Sequence, residues 1–119
     1  MQTAATVAVA LVALLHAWFL VLEMFLWDKP LGRRTFGLTP EYAAASKTLA
    51  ANQGLYNGFL AAGLAWGLFP GAGAEAIRIF FLGCVIVAGV FGAATVSRKI
   101  FWVQAAPAIV ALGLLLAAR

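Results

Sequence analysis

The sequence predicts an all-α fold, a bundle of four transmembrane helices with short loops except at the first connection. Three observations carry this expectation. First, hydrophobic residues make up 65% of the 119 residues and charged residues only 10%, where soluble domains run at roughly 45–50% and about a quarter. Second, a chain this short has too much surface for its volume to hide that apolar fraction in one aqueous core, so lipid must solvate most of it. Third, four windows are apolar enough to cross a hydrocarbon core about 30 Å thick. They are approximately Ala4–Leu26, Asn52–Phe69, Ala74–Val96 and Ile100–Ala118. None alternates as a strand would, and a helix satisfies its own backbone in lipid. Little chain remains outside these windows, so residues 1–119 are expected to form a single integral membrane domain.

The first window lies in "MQTAATVAVALVALLHAWFLVLEMFLW". It lacks the basic start of a signal peptide and its apolar stretch is too long, so it reads as a retained span. "WDKPLGRRTFGLTPEY", Trp27–Tyr42, is the one long loop. Within it Thr39-Pro40-Glu41 is a helix start. Thr39 can cap, Pro40 suits the first helical position, and Glu41 favours the positive end of the dipole. The second helix is therefore expected to extend from residue 40 into its span. "FPGAG" (Phe69–Gly73) is a tight turn to the third span. "SRK" (Ser97–Lys99) is a short basic turn to the fourth.

Eight Lys and Arg against four Asp and Glu give a net charge of +4. In a soluble protein this balance would raise nucleic acid as a partner. Here the basic residues lie between apolar runs, so no nucleic-acid partner is expected. The first and third connections hold Lys29, Arg33, Arg34, Lys47, Arg98 and Lys99, and the opposite side holds Arg78 and Arg119. The positive-inside rule then places both termini outside and those two connections in the cytoplasm. The expected location is a bacterial plasma (inner) membrane. Cys84 is the only cysteine, which excludes an internal disulfide and reads as a small packing residue.

The polar residues are unevenly placed. His16 is near the middle of the first span and Glu23 about one turn from its cytoplasmic end. Asn52, Gln53, Tyr56 and Asn57 occupy the first cytoplasmic turns of the second span. Thr95 lies near the cytoplasmic end of the third, and Gln104 about one turn into the fourth, before Pro107. The outer half is almost wholly Ala, Val, Leu, Gly and Phe. These eight residues are the candidate ligand-binding set, the walls of a polar cavity entered from the cytoplasmic side, with His16 as its floor. Glu23, Asn57, Gln53 and Gln104 are expected to share that cavity. The alternative is that the amides are interhelical glue, at around 0.6 kcal/mol for each bond. Faces such as Gly54-x-x-x-Gly58 and Gly63-x-x-x-Gly67 would then supply the close packing. An ionisable residue inside a span is a functional candidate by default. Glu23 could also pair with Lys29, Arg98 or Lys99.

His16 and Glu23 share a helix face but lie about 10.5 Å apart along the axis, too far for a direct hydrogen bond. They are the candidate catalytic residues, yet no dyad by themselves. There is no second His, and Cys84 is the only other plausible donor near His16, so no metal and no cofactor is expected. No triad, phosphate loop or run of spaced arginines is present.

"ALLHAWFLVLEMFLW", "LAANQGLYNGFLAAGL", "AGVFGAATV" and "QAAPA" together resemble the small membrane-protein family filed as domain of unknown function 1304. The resemblance covers nearly the whole chain, with the second segment its most specific part. It implies a four-span integral membrane protein with a His, Glu and Asn/Gln/Tyr signature, and it carries over no catalytic residue. A looser fold-level analogy links four- and five-span proteins that hold sterol isomerases and lipophilic-ligand receptors. The expected function is binding of a lipophilic or amphipathic small molecule in the cytoplasmic half of the bundle, with membrane lipid as the surrounding partner. The alternatives are an isomerase-like acid/base enzyme using Glu23 or His16, and a transporter or accessory subunit. Four spans make a thin pore, so transport would require a homo-oligomer.

Overall fold

The computed structural model describes residues 1–119, and the protein is all-α. Helix α1 spans Gln2–Met24, α2 Pro30–Phe36, α3 Pro40–Leu68, α4 Ala74–Thr95 and α5 Ala106–Ala117. A π-helical turn, Phe101–Ala105, leads into α5.

Two helices, α1 and α4, are long and apolar enough to cross a membrane. At a rise of about 1.5 Å per residue each is roughly 33–35 Å long. The other two expected spans fall short for visible reasons. Phe101–Ala117 reaches only about 25 Å. In α3, Asn52, Gln53 and Asn57 dilute the apolar stretch that would cross.

Helix boundaries follow local chemistry. α3 starts at Pro40, where the Tyr42 N–H donates to Thr39 Oγ1 at 3.1 Å. This satisfies one of the four donors a helix start leaves open. The turn before α4 uses Gly73 in the left-handed region, φ 87°. Two features depart from the sequence expectation. The first connection is not all loop, because it contains α2. Pro30 starts that helix, and Gly37 ends it with φ 67°, its N–H bonded to the Arg33 carbonyl. Seven residues are too few to show an apolar period. The second departure is the π turn. The Ala106 N–H reaches back to the Phe101 carbonyl. In a regular helix the Pro107 ring would collide with the carbonyl one turn behind, and the wider turn relieves that crowding.

The chain divides into two compact units. The first is Leu14–Ala61. Here the last turns of α1 run antiparallel to α3, since Gly54 lies against Glu23 and Met24 while Gly58, one turn on, lies against Leu20. A methyl group at Gly54 would sit 2.7 Å from Met24 Cγ and 3.2 Å from the Leu20 carbonyl oxygen. Beyond the end of α1, Trp27 Nε1 donates to Ser46 Oγ at 3.0 Å, and Lys47 Nζ pairs with Asp28 Oδ2 at 3.0 Å. The hydrogen bond and charge of Lys47 hold the Asp28 carboxyl below its usual range.

The second unit is Met1–Ala13 with Ala62–Arg119. Phe81 fills the space beside Gly63, and Arg78 that beside Gly67, so the end of α3 and the start of α4 form an antiparallel hairpin. Gly89 meets the backbone of Ala105, and Gly92 meets Ile100, which pairs α4 with the π turn in the same way. At the chain ends Gln2 Nε2 donates to the Ala118 carbonyl, and Arg119 pairs with Glu75 at 3.0 Å.

Burial follows a coiled-coil rhythm. Along α1 the buried residues include Ala5, Val9, Val12 and His16, and along α3 they include Ala43, Ala50, Asn57 and Leu64. Steps of three and four, or of seven, keep one seam of a helix against its neighbours.

Candidate functional site

Polar side chains do occupy these seams, at His16 and Asn57. In the unit Leu14–Ala61, Asn57 Nδ2 donates a short hydrogen bond to Glu23 Oε1. Two features of the sequence make that bond. Gly54 removes the side chain that would hold α3 away from α1, and Asn57 lies three residues further along the same face. Asn57 is 5% exposed and Glu23 is half-buried.

The ion pairs of the chain are Lys47 with Asp28 and Arg119 with Glu75. Within its unit Glu23 is therefore partnered by an amide and not by Lys29. An ionised carboxylate is acceptor-only, and Oε1 alone is used by Asn57. What the pair offers chemically is an acceptor cluster, the remaining lone pairs of Glu23 together with the Asn57 carbonyl. That set suits a group that donates hydrogen bonds.

His16 is fully buried. Its ring meets Phe19 edge-on, with centroids 5.2 Å apart and planes at 75°. It lies two turns below Glu23 on the same helix, about 10.5 Å along the axis.

The remaining residues of the candidate set are placed differently. Asn52, Gln53 and Tyr56 are exposed, with Tyr56 tilted against Phe59 at 6.1 Å. Only Asn57 of that cluster is turned inward, because Ala50, Gly54 and Asn57 form the line of α3 that is buried. In the other unit Thr95 is exposed and its hydroxyl donates to the Phe91 carbonyl of its own helix at 2.7 Å. Such a bond back onto the preceding turn is the usual occupation of a helical Thr. Gln104 sits half-buried within the π turn. Sequence reasoning did not single out Trp27, Asp28 or Ser46, which tie the first connection to α3. An indole and a carboxylate at the edge of a span were the available signal.

The chain matches the family described as protein of unknown function DUF1304 over residues 10–116. It belongs to that family. The matched stretch of this DUF1304 member includes Glu23, Asn57 and His16. A relative is the uncharacterized protein YpaA of Lactococcus lactis subsp. lactis (strain IL1403). It is 34% identical over 105 residues, which cover 86% of this chain and 87% of the relative. No solved structure matches the chain.

Proposed function

We propose that this DUF1304 protein crosses the membrane four times and binds a lipophilic or amphipathic small molecule beside the Glu23–Asn57 pair. One observation carries the reading, a carboxylate and a carboxamide hydrogen-bonded to each other where α1 and α3 meet at Gly54 and Gly58. Ionisable groups within spans are costly, and they mark binding sites or proton paths more often than packing. The acceptor-rich pair suits a hydroxyl or amine head group, while Leu20 and the glycine face beside it suit an apolar body. His16 forms the floor two turns deeper. Both termini face outside and the first connection is cytoplasmic, so the ligand enters from the cytoplasmic leaflet.

Two experiments test this. Reporter fusions at the C-terminus should be active only outside the cytoplasm, and cytoplasmic activity would overturn the orientation. Mass spectrometry of the protein purified from native membranes should find one copurifying amphiphile, depleted at least tenfold by Glu23→Gln. His16→Phe should stay folded in detergent and retain less of that molecule. Retention unchanged in both variants would refute the site. Conversion of the molecule by the purified protein, lost in Glu23→Gln, would replace simple binding with acid/base catalysis at the same residues.

A further inference from the structure

Helix α2 is short, yet it is held firmly. Gly32 lies directly against the Leu26 carbonyl, so closely that a methyl group there would stand 1.9 Å from the oxygen. Phe36 contacts Trp27 with ring centroids 5.0 Å apart, and Trp27 is in turn bonded to Ser46. The helix is thus braced against the residues that follow α1, and Trp27 among them is tied to α3.

What it presents outward is mixed in a specific way. Leu31 and Phe36 are 39% and 38% exposed. Lys29 and Arg34 are exposed beside them. Arg33 carries a buried Nε with no hydrogen-bond partner. The nearby acid, Asp28, is paired with Lys47, whose positive charge offsets that of the carboxylate toward an incoming anion. Apolar side chains beside unpaired cations, six residues past the end of an apolar helix, fit one environment. That environment is the boundary where acyl chains meet phosphate groups.

We infer that α2 is a docking surface for anionic phospholipid head groups, with Lys29, Arg33 and Arg34 meeting the phosphate and Leu31 and Phe36 reaching into the acyl boundary. Charge complementarity selects this occupant. Arginine forms paired hydrogen bonds to phosphate oxygens, and the exposed Arg34 takes part in neither ion pair of the chain. The inference rests on the membrane reading above, but not on the ligand beside Glu23.

The test uses the full-length protein in vesicles with trace spin-labelled phosphatidylglycerol or phosphatidylcholine. The fraction of immobilised label measures association. The wild-type protein should prefer phosphatidylglycerol several-fold. Arg33→Gln/Arg34→Gln should lower that preference to parity, since each basic residue near an anionic surface contributes up to about fivefold. Arg33→Lys/Arg34→Lys should retain part of it. Arg98→Gln/Lys99→Gln, in another connection, should lose clearly less. Equal loss in both glutamine pairs would mean a general charge effect and overturn the docking surface, as would no preference in the wild type. Suppression by millimolar inorganic phosphate at constant ionic strength would overturn it in favour of a free-anion site. An alkaline carbonate wash separates the two readings. Release of the protein from native membranes would sink the membrane assignment itself, whereas retention without lipid preference would sink only this inference.

Discussion

Gly89→Val should destabilise the protein by about 3 kcal/mol, at the upper end of the range for overpacked sites. The reason is the identity of the neighbouring atoms. A methyl group at Gly89 would lie 2.7 Å from the Ala105 nitrogen and 2.9 Å from its Cα. Side-chain ends can rotate away, but a backbone cannot, so α4 and the π turn must separate. That separation would open the seam where Gly89 is buried against Ala105 and Val85 and Ala108 lie buried nearby in sequence. Unfolding in a graded detergent mixture, followed by circular dichroism, measures the loss. Gly83→Ala and Gly113→Ala are the controls. Nothing lies within 4 Å of an added methyl at either position, so both variants should match the wild type or exceed it by up to about 1 kcal/mol. Equal losses in Gly83→Ala and Gly89→Val would show that close approach to Ala105 does not govern these positions.

The contrast between those glycines also explains what was legible in the sequence. Local rules worked where the cause was local. Thr39, Pro40 and Glu41 announced the start of α3, and the cap is formed by Thr39 itself. Pro30 and Gly37 carried the same kind of signal for α2, but seven residues gave no apolar period to make it convincing. The π turn answers the crowding of the Pro107 ring against the turn before it, and a proline announces that crowding without saying whether the helix will break, kink or widen.

The polar cluster on α3 was legible as a cluster but not as a face. Where lipid is expected around a helix, apolar residues sit on all its sides, so the contrast that fixes rotation in a soluble helix is missing. Asn52, Gln53, Tyr56 and Asn57 therefore looked equivalent. Gly54 and Gly58 set the rotation by admitting Leu20 and Glu23, and that rotation turns Asn57 inward while the other three stay exposed. Small residues at close contacts were a better guide to the face than the polar residues themselves.

The same glycine contact makes the Glu23–Asn57 pair separable from the fold, and a double-mutant cycle with Glu23→Met and Asn57→Leu should show it. Both replacements keep approximate volume and remove hydrogen-bonding groups. Asn57→Leu alone leaves a half-buried carboxyl without its donor, at a cost of about 1–3 kcal/mol. Glu23→Met alone strands a buried amide, at a similar cost. The double variant leaves nothing unsatisfied, and an apolar pair of matched shape is often neutral. It should therefore be nearly as stable as the wild type, which makes the coupling between the two sites the sum of the two single costs, about 2–6 kcal/mol in favour of the intact pair. Costs that add within about 0.5 kcal/mol would mean the two side chains do not act on each other. Ligand retention should behave in the opposite way. A structural role predicts that the stable double variant keeps whatever the wild type carries. A binding role predicts that it is folded and empty, because the acceptor oxygens of Glu23 and Asn57 are gone while the helix contact at Gly54 remains. Stability recovered without ligand recovered is the result expected here, and recovery of both would return the pair to the status of interhelical glue.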